Sequence, residues 1–278
     1  MPICRAASFG SGRILPVGRR PAPLLSTLSL MTAVMSEELY NAMFRRRSVR
    51  RYMPGPLDPE MMRAVSSFTA SMRPLFPDIR VELRFLGEED VGGMFKVAAP
   101  HYLALYSEKK EGKEANAGFL LQQADLFLSA NGLGSCWQGG PRPVRGTQRP
   151  SGLDHVVMLA FGRAAEKVHR DRSKFRRKEI SDITDLADHR EILEAARIAP
   201  SGLNNQSWFF NGGGGVVHAH AARSAVTGPM NRINVGIALS HMRLAAEHEG
   251  YRAAFAIRED GRHSAPRGYA YVASMDLQ

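Results

Sequence analysis

Three short stretches of the 278-residue chain carry side chains suited to capturing a phosphate-bearing ring. The first is Arg46-Arg47-Ser48-Val49-Arg50. Guanidinium groups are rigid, forked donors that match the accepting oxygens of a phosphate monoester, and a serine hydroxyl adds a compact one. In an extended or irregular backbone alternate side chains share a side, so Arg46, Ser48 and Arg50 point together while Arg47 diverges. A solubilising basic patch would have the same composition. The small Ser48 and the Pro54-Gly55-Pro56 break that follows leave the ligand reading open beside it.

The second stretch, Ala199–Trp208 (APSGLNNQSW), places a helix stop, several short polar side chains and a tryptophan within ten residues. A flat heteroaromatic ring needs donors and acceptors at its edge and an apolar surface against its face. Amides of Asn204, Asn205 or Gln206 can supply the edge, and backbone beside Pro200, Ser201 and Gly202 can approach closely. The plainer alternative is a capped turn before a strand whose Trp208 is core. The third stretch, Gly132-Leu133-Gly134-Ser135-Cys136-Trp137, closes a helix with glycines that admit a close ligand. It is no dinucleotide fingerprint, because the next glycine is Gly139 and the motif ends a helix instead of opening one.

Several function classes fall away. Cys4 and Cys136 are the only cysteines, too few for a disulfide framework or a metal cluster and compatible with the cytoplasm. His218 and His220, the nearest of nine histidines, lack a third ligand, so no metal site is expected. Cys136 has no neighbouring histidine and reads as a small buried hydrophobe. The formal charge of +10 gathers in Arg45–Arg51, Arg142–Arg149 and His169–Lys178. With no finger, helix-turn-helix or aromatic-basic interleaving, these clusters suit local anions or a solvated face, not a specific nucleic-acid surface. No apolar run reaches the roughly 18 residues of a membrane span.

Positioning these stretches requires a mixed fold. Ser36 reads as the N-cap of a first helix and Asp58-Pro59 as the start of a second. Strands are expected at Val81–Leu86, Tyr102–Tyr106, Val156–Phe161, Trp208–Phe210, Val216–Ala219, Ala253–Ile257 and Tyr269–Ser274. Further helices are expected at Phe119–Gly132, His189–Ala199 and Asn234–His248. Alternation of helices and strands implies an α/β or α+β fold, a sheet layered between helices. A rough internal repeat sets Leu121–Gly134 against Val235–Gly250, as if two halves packed about an approximate twofold axis. Residues 1–34 read as a poorly ordered extension, with Met31 and Met35 as possible internal starts.

Taken together, Arg46–Tyr52, Ala124–Gly134 with Trp137 and Gly139, and Ala196–Trp208 resemble the nitroreductase family of FMN-dependent oxidoreductases. Ser207 stands where that family usually has proline. The Ala-Pro-Ser segment comes in the second half of the chain, not shortly after Arg-Arg-Ser; Ala64–Pro74 is only a degenerate echo at the usual place. The chain therefore resembles the single-chain branch, a three-layer nitroreductase-like fold of two degenerate half-units forming a pseudo-dimer. The resemblance implies halves at 35–165 and 189–278, joined by a charged crossover at 166–188. It implies one FMN, held by Arg46, Arg47, Ser48 and Arg50 at the phosphate. Gly132, Leu133, Gly134, Pro200, Ser201, Asn204 and Gln206 would lie near the ring. It further implies ping-pong hydride transfer from NAD(P)H, through flavin N5 and no catalytic side chain, to a nitroaromatic, quinone or similar small acceptor. The expected state is a monomer serving as a pseudo-dimer, or a weak homo-oligomer. A flavin-handling protein with little turnover of external substrate is the alternative.

Overall fold

The computed structural model describes residues 27–278. In chain order the elements are α1 (Thr27–Met43), α2 (Pro59–Ser71), β1 (Val81–Leu86), β2 (Val91–Gly92), β3 (His101–Ser107), α3 (Lys113–Ala130), β4 (Gly134–Gln138), β5 (Arg142–Pro143) and β6 (Asp154–Gly162). After a crossover come α4 (Arg190–Ile198), β7 (Trp208–Gly213), β8 (Val216–Ala222), α5 (Gly228–His248), β9 (Ala253–Ala256), α6 (Glu259–His263) and β10 (Tyr269–Leu277). No helix among the described residues is long and apolar enough to cross a membrane.

Two four-stranded antiparallel sheets carry the same wiring, β1-β3-β6-β4 and β7-β8-β10-β9. In each, a hairpin pair is followed by a long helix and then by two strands, the last of which inserts between its predecessors. The helices α3 and α5 form the seam between the halves. A Cβ built on Gly118 would lie 2.1 Å from the Ile233 carbonyl oxygen, and one on Gly236 would lie 1.9 Å from that of Ala115. Only glycine lets the two backbones touch in this way. The matching runs the length of both helices: Asn116 and Asn234, Gly118 and Gly236, Leu121 and Leu239, Leu126 and Leu244, Gly132 and Gly250 fall in one register. Asn116 Oδ1 accepts from the Leu75 and Phe76 amides at 2.8 and 3.1 Å, and Asn234 Oδ1 accepts from the Gly202 amide at 3.0 Å. Each asparagine thus ties down the loop that enters its own half's first strand.

Packing on all sides explains why α3 starts at Lys113 and not at Phe119. Every residue from Ala115 to Ser129 is buried, so the one-sided apolar stripe of a surface helix is missing. Asn116 and Gly118, which look like helix breakers, serve the loop tie and the crossing. Helix α1 likewise begins at Thr27, so Ser36 is no cap but an interior residue whose hydroxyl donates to Glu247 of α5 at 3.1 Å. Of the 34-residue extension expected from the sequence, residues 27–34 are therefore helical and residues 1–26 lie outside the described residues. Where local chemistry decides, expectation and structure agree. Asp58 caps α2 by accepting from the Met61 amide at 2.9 Å, with Pro59 in the first turn.

Candidate active site

The arginine segment lies against the start of β4. The Val49 amide donates to the Ser135 carbonyl at 2.9 Å, and Ser48 pairs with Ser135 as an isolated parallel bridge. A Cβ on Gly134 would come within 2.6 Å of Val49 Cγ1, so this glycine is what lets the segment sit flush. Arg46 turns inward. It is 2% exposed, its Nε lies 3.0 Å from Asp125 Oδ2 on α3, and its Nη2 donates to Ser48 Oγ at 3.3 Å. Asp125 also accepts from the Ser135 hydroxyl. Arg47 turns the other way, donating to Glu166 at 2.9 Å. The same carboxylate accepts from the Arg50 and Arg51 amides at 2.7 and 3.3 Å, which holds its pKa below the usual range. The Arg50 side chain is left exposed. Burial pushes the Cys136 thiol pKa up, against the pull of Arg50 and Arg46, so Cys136 remains a neutral thiol.

The crossover is not a free solvated strap. Residues 163–170 run antiparallel to residues 45–53 through Met53–Arg163, Ala165–Arg51 and Arg170–Arg45 backbone bonds of 2.8, 2.9 and 2.8 Å. The chain then brings Arg170 and Arg177 over Phe175, at 4.1 and 5.3 Å from the ring centre. Burial, with Arg170, Arg46 and Arg197 nearby, pushes the Arg177 pKa down to about 10. Burial with Arg46 and Arg47 lowers that of Arg170. The Arg170 Nε is buried without a hydrogen-bond partner. Arg46, Arg170 and Arg177 therefore crowd one another, and the buried carboxylate among them is Asp125. That cationic excess suits an anion; Arg170 Nε is the open donor there, since Arg177 already donates to the Ile198 and Arg176 carbonyls and to Asn204.

From the second half comes the loop after α4. Pro200 is buried, the Ser201 hydroxyl accepts from the Gln206 amide at 3.0 Å, and Asn204 accepts from Arg177 at 2.7 Å while donating to the Arg176 carbonyl at 3.0 Å. Gln206 Oε1 accepts from the Lys178 amide at 2.7 Å, and its Nε2 donates to the Asn204 carbonyl at 2.9 Å. Asn204 and Gln206 thus fasten the loop to the crossover, while Ser201 fastens the loop to itself. Leu203, Asn204 and Gln206 adopt φ values of 56°, 56° and 46°, a tight left-handed path. Met230 in the first turn of α5 joins the halves. Its Sδ lies 2.3 Å from a Cβ built on Gly202, and its Cε lies 3.5 Å from one built on Gly139.

The structure brings Val49 against Gly134 and Ser48 against Ser135, ties Arg46 to Ser48 and Asp125, and connects this segment, through residues 169–178, to Asn204 and Gln206. Leu133 is buried in the core, and Gly132 is an exposed turn with φ of 72°. Asp125, Glu166 and Met230 were not singled out from sequence, and Arg170 and Arg177 entered only as members of the basic cluster His169–Lys178. Asp125 is the one charged residue in the Phe119–Gly132 stretch, and that was the available signal for it. Among the described residues no group of three or more His, Cys, Asp or Glu side chains could hold a metal ion.

Two like-wired halves packed across α3 and α5 make a nitroreductase-like fold, consistent with a single-chain pseudo-dimer of two units. The family model described as "Putative TM nitroreductase" matches residues 38–246, and the chain belongs to that family. A crystal structure of a putative nitroreductase from Thermotoga maritima is similar over 86% of this chain and 92% of its own, with a TM-score of 0.58 and 19% identity. A nitroreductase with bound FMN from Desulfitobacterium hafniense covers 51% of this chain and 98% of its own, with a TM-score of 0.38 and 13% identity. An FMN-dependent nitroreductase from Clostridium difficile covers 48% and 91%, with a TM-score of 0.37 and 17% identity. No curated protein matches the chain significantly.

Proposed function

We propose that the chain binds one FMN between its halves and passes electrons from NAD(P)H to a small acceptor such as a nitroaromatic or a quinone. The observation that carries the reading is the cluster of three guanidinium groups, Arg46, Arg170 and Arg177, with Asp125 as the carboxylate paired to Arg46, assembled beside the glycine-rich start of β4 and the Ser201 loop. Arg50, Arg170, Arg177 and Ser48 would hold the phosphate, with Arg46 as the inner charge that orients Ser48 and Arg47 as the outer one tied to Glu166. Gly132 and Gly134 would allow the backbone close to the ring, and Leu133 would support them from the core. On the opposite side Pro200 and Ser201 would border the ring, with Asn204 and Gln206 shaping the loop. When bound, FMN supplies the group that accepts a hydride from the reduced nicotinamide and returns the electrons to the acceptor. The protein's part is to bind, orient and charge-balance, which agrees with the absence of an activated nucleophile at Cys136.

The halves are taken as residues 35–165 and 189–278, linked through 166–188, so a single cytoplasmic chain completes the site without a second subunit. Reconstitution tests this. The purified protein should take up one FMN per chain, and anaerobic NADH or NADPH should bleach the flavin absorbance. Arg50→Ala with Arg177→Ala should weaken FMN by at least about tenfold, the loss of one charged hydrogen bond. An FMN dissociation constant unchanged in that variant would refute the phosphate assignment. The bonding of Asn204 and Gln206 within the chain favours a second reading, flavin carriage with little turnover; an unbleached flavin under excess nicotinamide would establish it.

A further inference from the structure

A second concavity, sharing no residue with the candidate active site, is also built from both halves. Its larger part, about 580 Å³, is lined by Lys110–Glu114 at the start of α3 and by Arg223, Arg232, Arg262 and Tyr271 of the second half. A smaller part, about 340 Å³, lies between the end of β8 and the first turn of α5. The two parts share Arg223, Arg232 and Ala270, so they form one continuous groove. Lys110, Lys113, Arg223, Arg232 and Arg262 bring five cations to it, against the two carboxylates of Glu111 and Glu114.

Some of these cations are already paired. Glu111 meets Arg262 at 3.2 Å and Glu114 meets Arg232 at 3.3 Å. From outside the lining, Asp78 pairs with Lys110, and Glu259 meets Arg262 at 3.4 Å. Lys113 and Arg223 stand apart, with no carboxylate within 4.0 Å among the described residues. Arg223 Nε donates to the Tyr269 carbonyl at 2.7 Å, which steadies the guanidinium while its terminal nitrogens stay open. Arg232 joins the two parts: its Nε faces Glu114 of α3, and its Nη1 lies 3.7 Å from a Cβ built on Gly228 of α5. The start of α3 adds to the positive field. Its N-cap is Gly112, with φ of 89° and no side chain capping the first turn. A Cβ there would lie 2.7 Å from Phe76 Cε2, so no residue with a capping side chain fits. The first-turn amides are thus left to water or to an anion.

We propose that this groove is a second anion site, which takes the diphosphate group of a small ligand between Lys113, Arg223 and Arg232. Two anionic centres match it better than one, because its open donors come from both halves and line two adjoining spaces. The probe is inorganic pyrophosphate, titrated calorimetrically into the full chain at low ionic strength, with and without excess FMN. Lys113→Gln and Arg223→Gln should each weaken pyrophosphate by about tenfold, the loss of one charged hydrogen bond. Tm should stay unchanged, since neither side chain holds the fold. Lys113→Arg should restore the affinity, and orthophosphate should bind at least about tenfold more weakly than pyrophosphate. ADP binding more tightly than pyrophosphate would assign the diphosphate to a nucleotide, and equal binding would assign it to the free ion. Unchanged pyrophosphate affinity in both glutamine variants would overturn the proposal. So would displacement of pyrophosphate by FMN, which would move it to the cluster of Arg46, Arg170 and Arg177. Orthophosphate binding as tightly as pyrophosphate would refute the diphosphate class.

Discussion

The buried pair of Arg46 and Asp125 offers a sharp test of how the site is built. Its side chains are 2% and 0% exposed, with Nε and Oδ2 3.0 Å apart. Removing one partner leaves the other as an unpaired charge in the interior, which costs about 3–5 kcal/mol. At about 2–4 °C per kcal/mol for a protein of this size, Arg46→Met should lower Tm by roughly 6–20 °C. Asp125→Leu alone should do the same, since it strands Arg46 and removes the acceptor of the Ser135 hydroxyl. The double substitution removes both charges together. It should cost only about 1–2 kcal/mol, mainly the orphaned Ser135 hydroxyl and imperfect packing. Thermal unfolding of the four proteins without added flavin, followed by circular dichroism, gives the coupling energy directly. If the double variant is destabilised by the sum of the two singles, the residues do not compensate each other and the inward charge is not what holds Arg46.

Other outcomes follow from the geometry. Glu166→Ala should weaken FMN by about tenfold and Glu166→Gln should largely restore it, as measured by fluorescence quenching. A purely Coulombic role predicts the reverse, because deleting a negative charge beside an anion site tightens binding. Gly236→Ala should cost about 1–3 kcal/mol in chemical denaturation, because the new methyl would lie 1.9 Å from the Ala115 carbonyl oxygen. A wild-type midpoint would mean that the helix seam yields freely. Stability should also fall on acidification. Burial lowers the His241 and His220 pKa values to about 3 and about 4, so the unfolded chain, with histidine near 6.5, binds protons first. The stabilisation is complete above about pH 6.5 and drains away as pH falls towards 4, each histidine contributing at most about 1.4 kcal/mol per pH unit. A Tm flat between pH 7 and 5 would contradict this.

What could be read from the sequence was what local chemistry decides. Asp58-Pro59 starts a helix wherever it is placed, and the apolar run at 156–161 has the composition of the interior strand it proves to be. The nitroreductase-like fold and its doubling were legible because the arginine, glycine and Ala-Pro-Ser stretches each keep their own residue types. Three things were hidden, for one physical reason: each depends on a partner distant in the chain. Asn116 and Gly118 look like helix breakers until α5 lies across them. Arg46 looks like a surface donor until Asp125 draws it inward. The amides of Asn204 and Gln206 look free until residues 176–178 fold back onto them.

The common register of α3 and α5 sets Asp125 opposite Arg243, a carboxylate in one half where the other carries a guanidinium. Two identical subunits cannot do this, since one gene would write the same residue on both sides of the axis. Here Asp125 answers Arg46, while Arg243 answers Glu247 at 2.7 Å. A single polypeptide carries no such constraint, so equivalent positions in the two halves can take opposite charges and different partners.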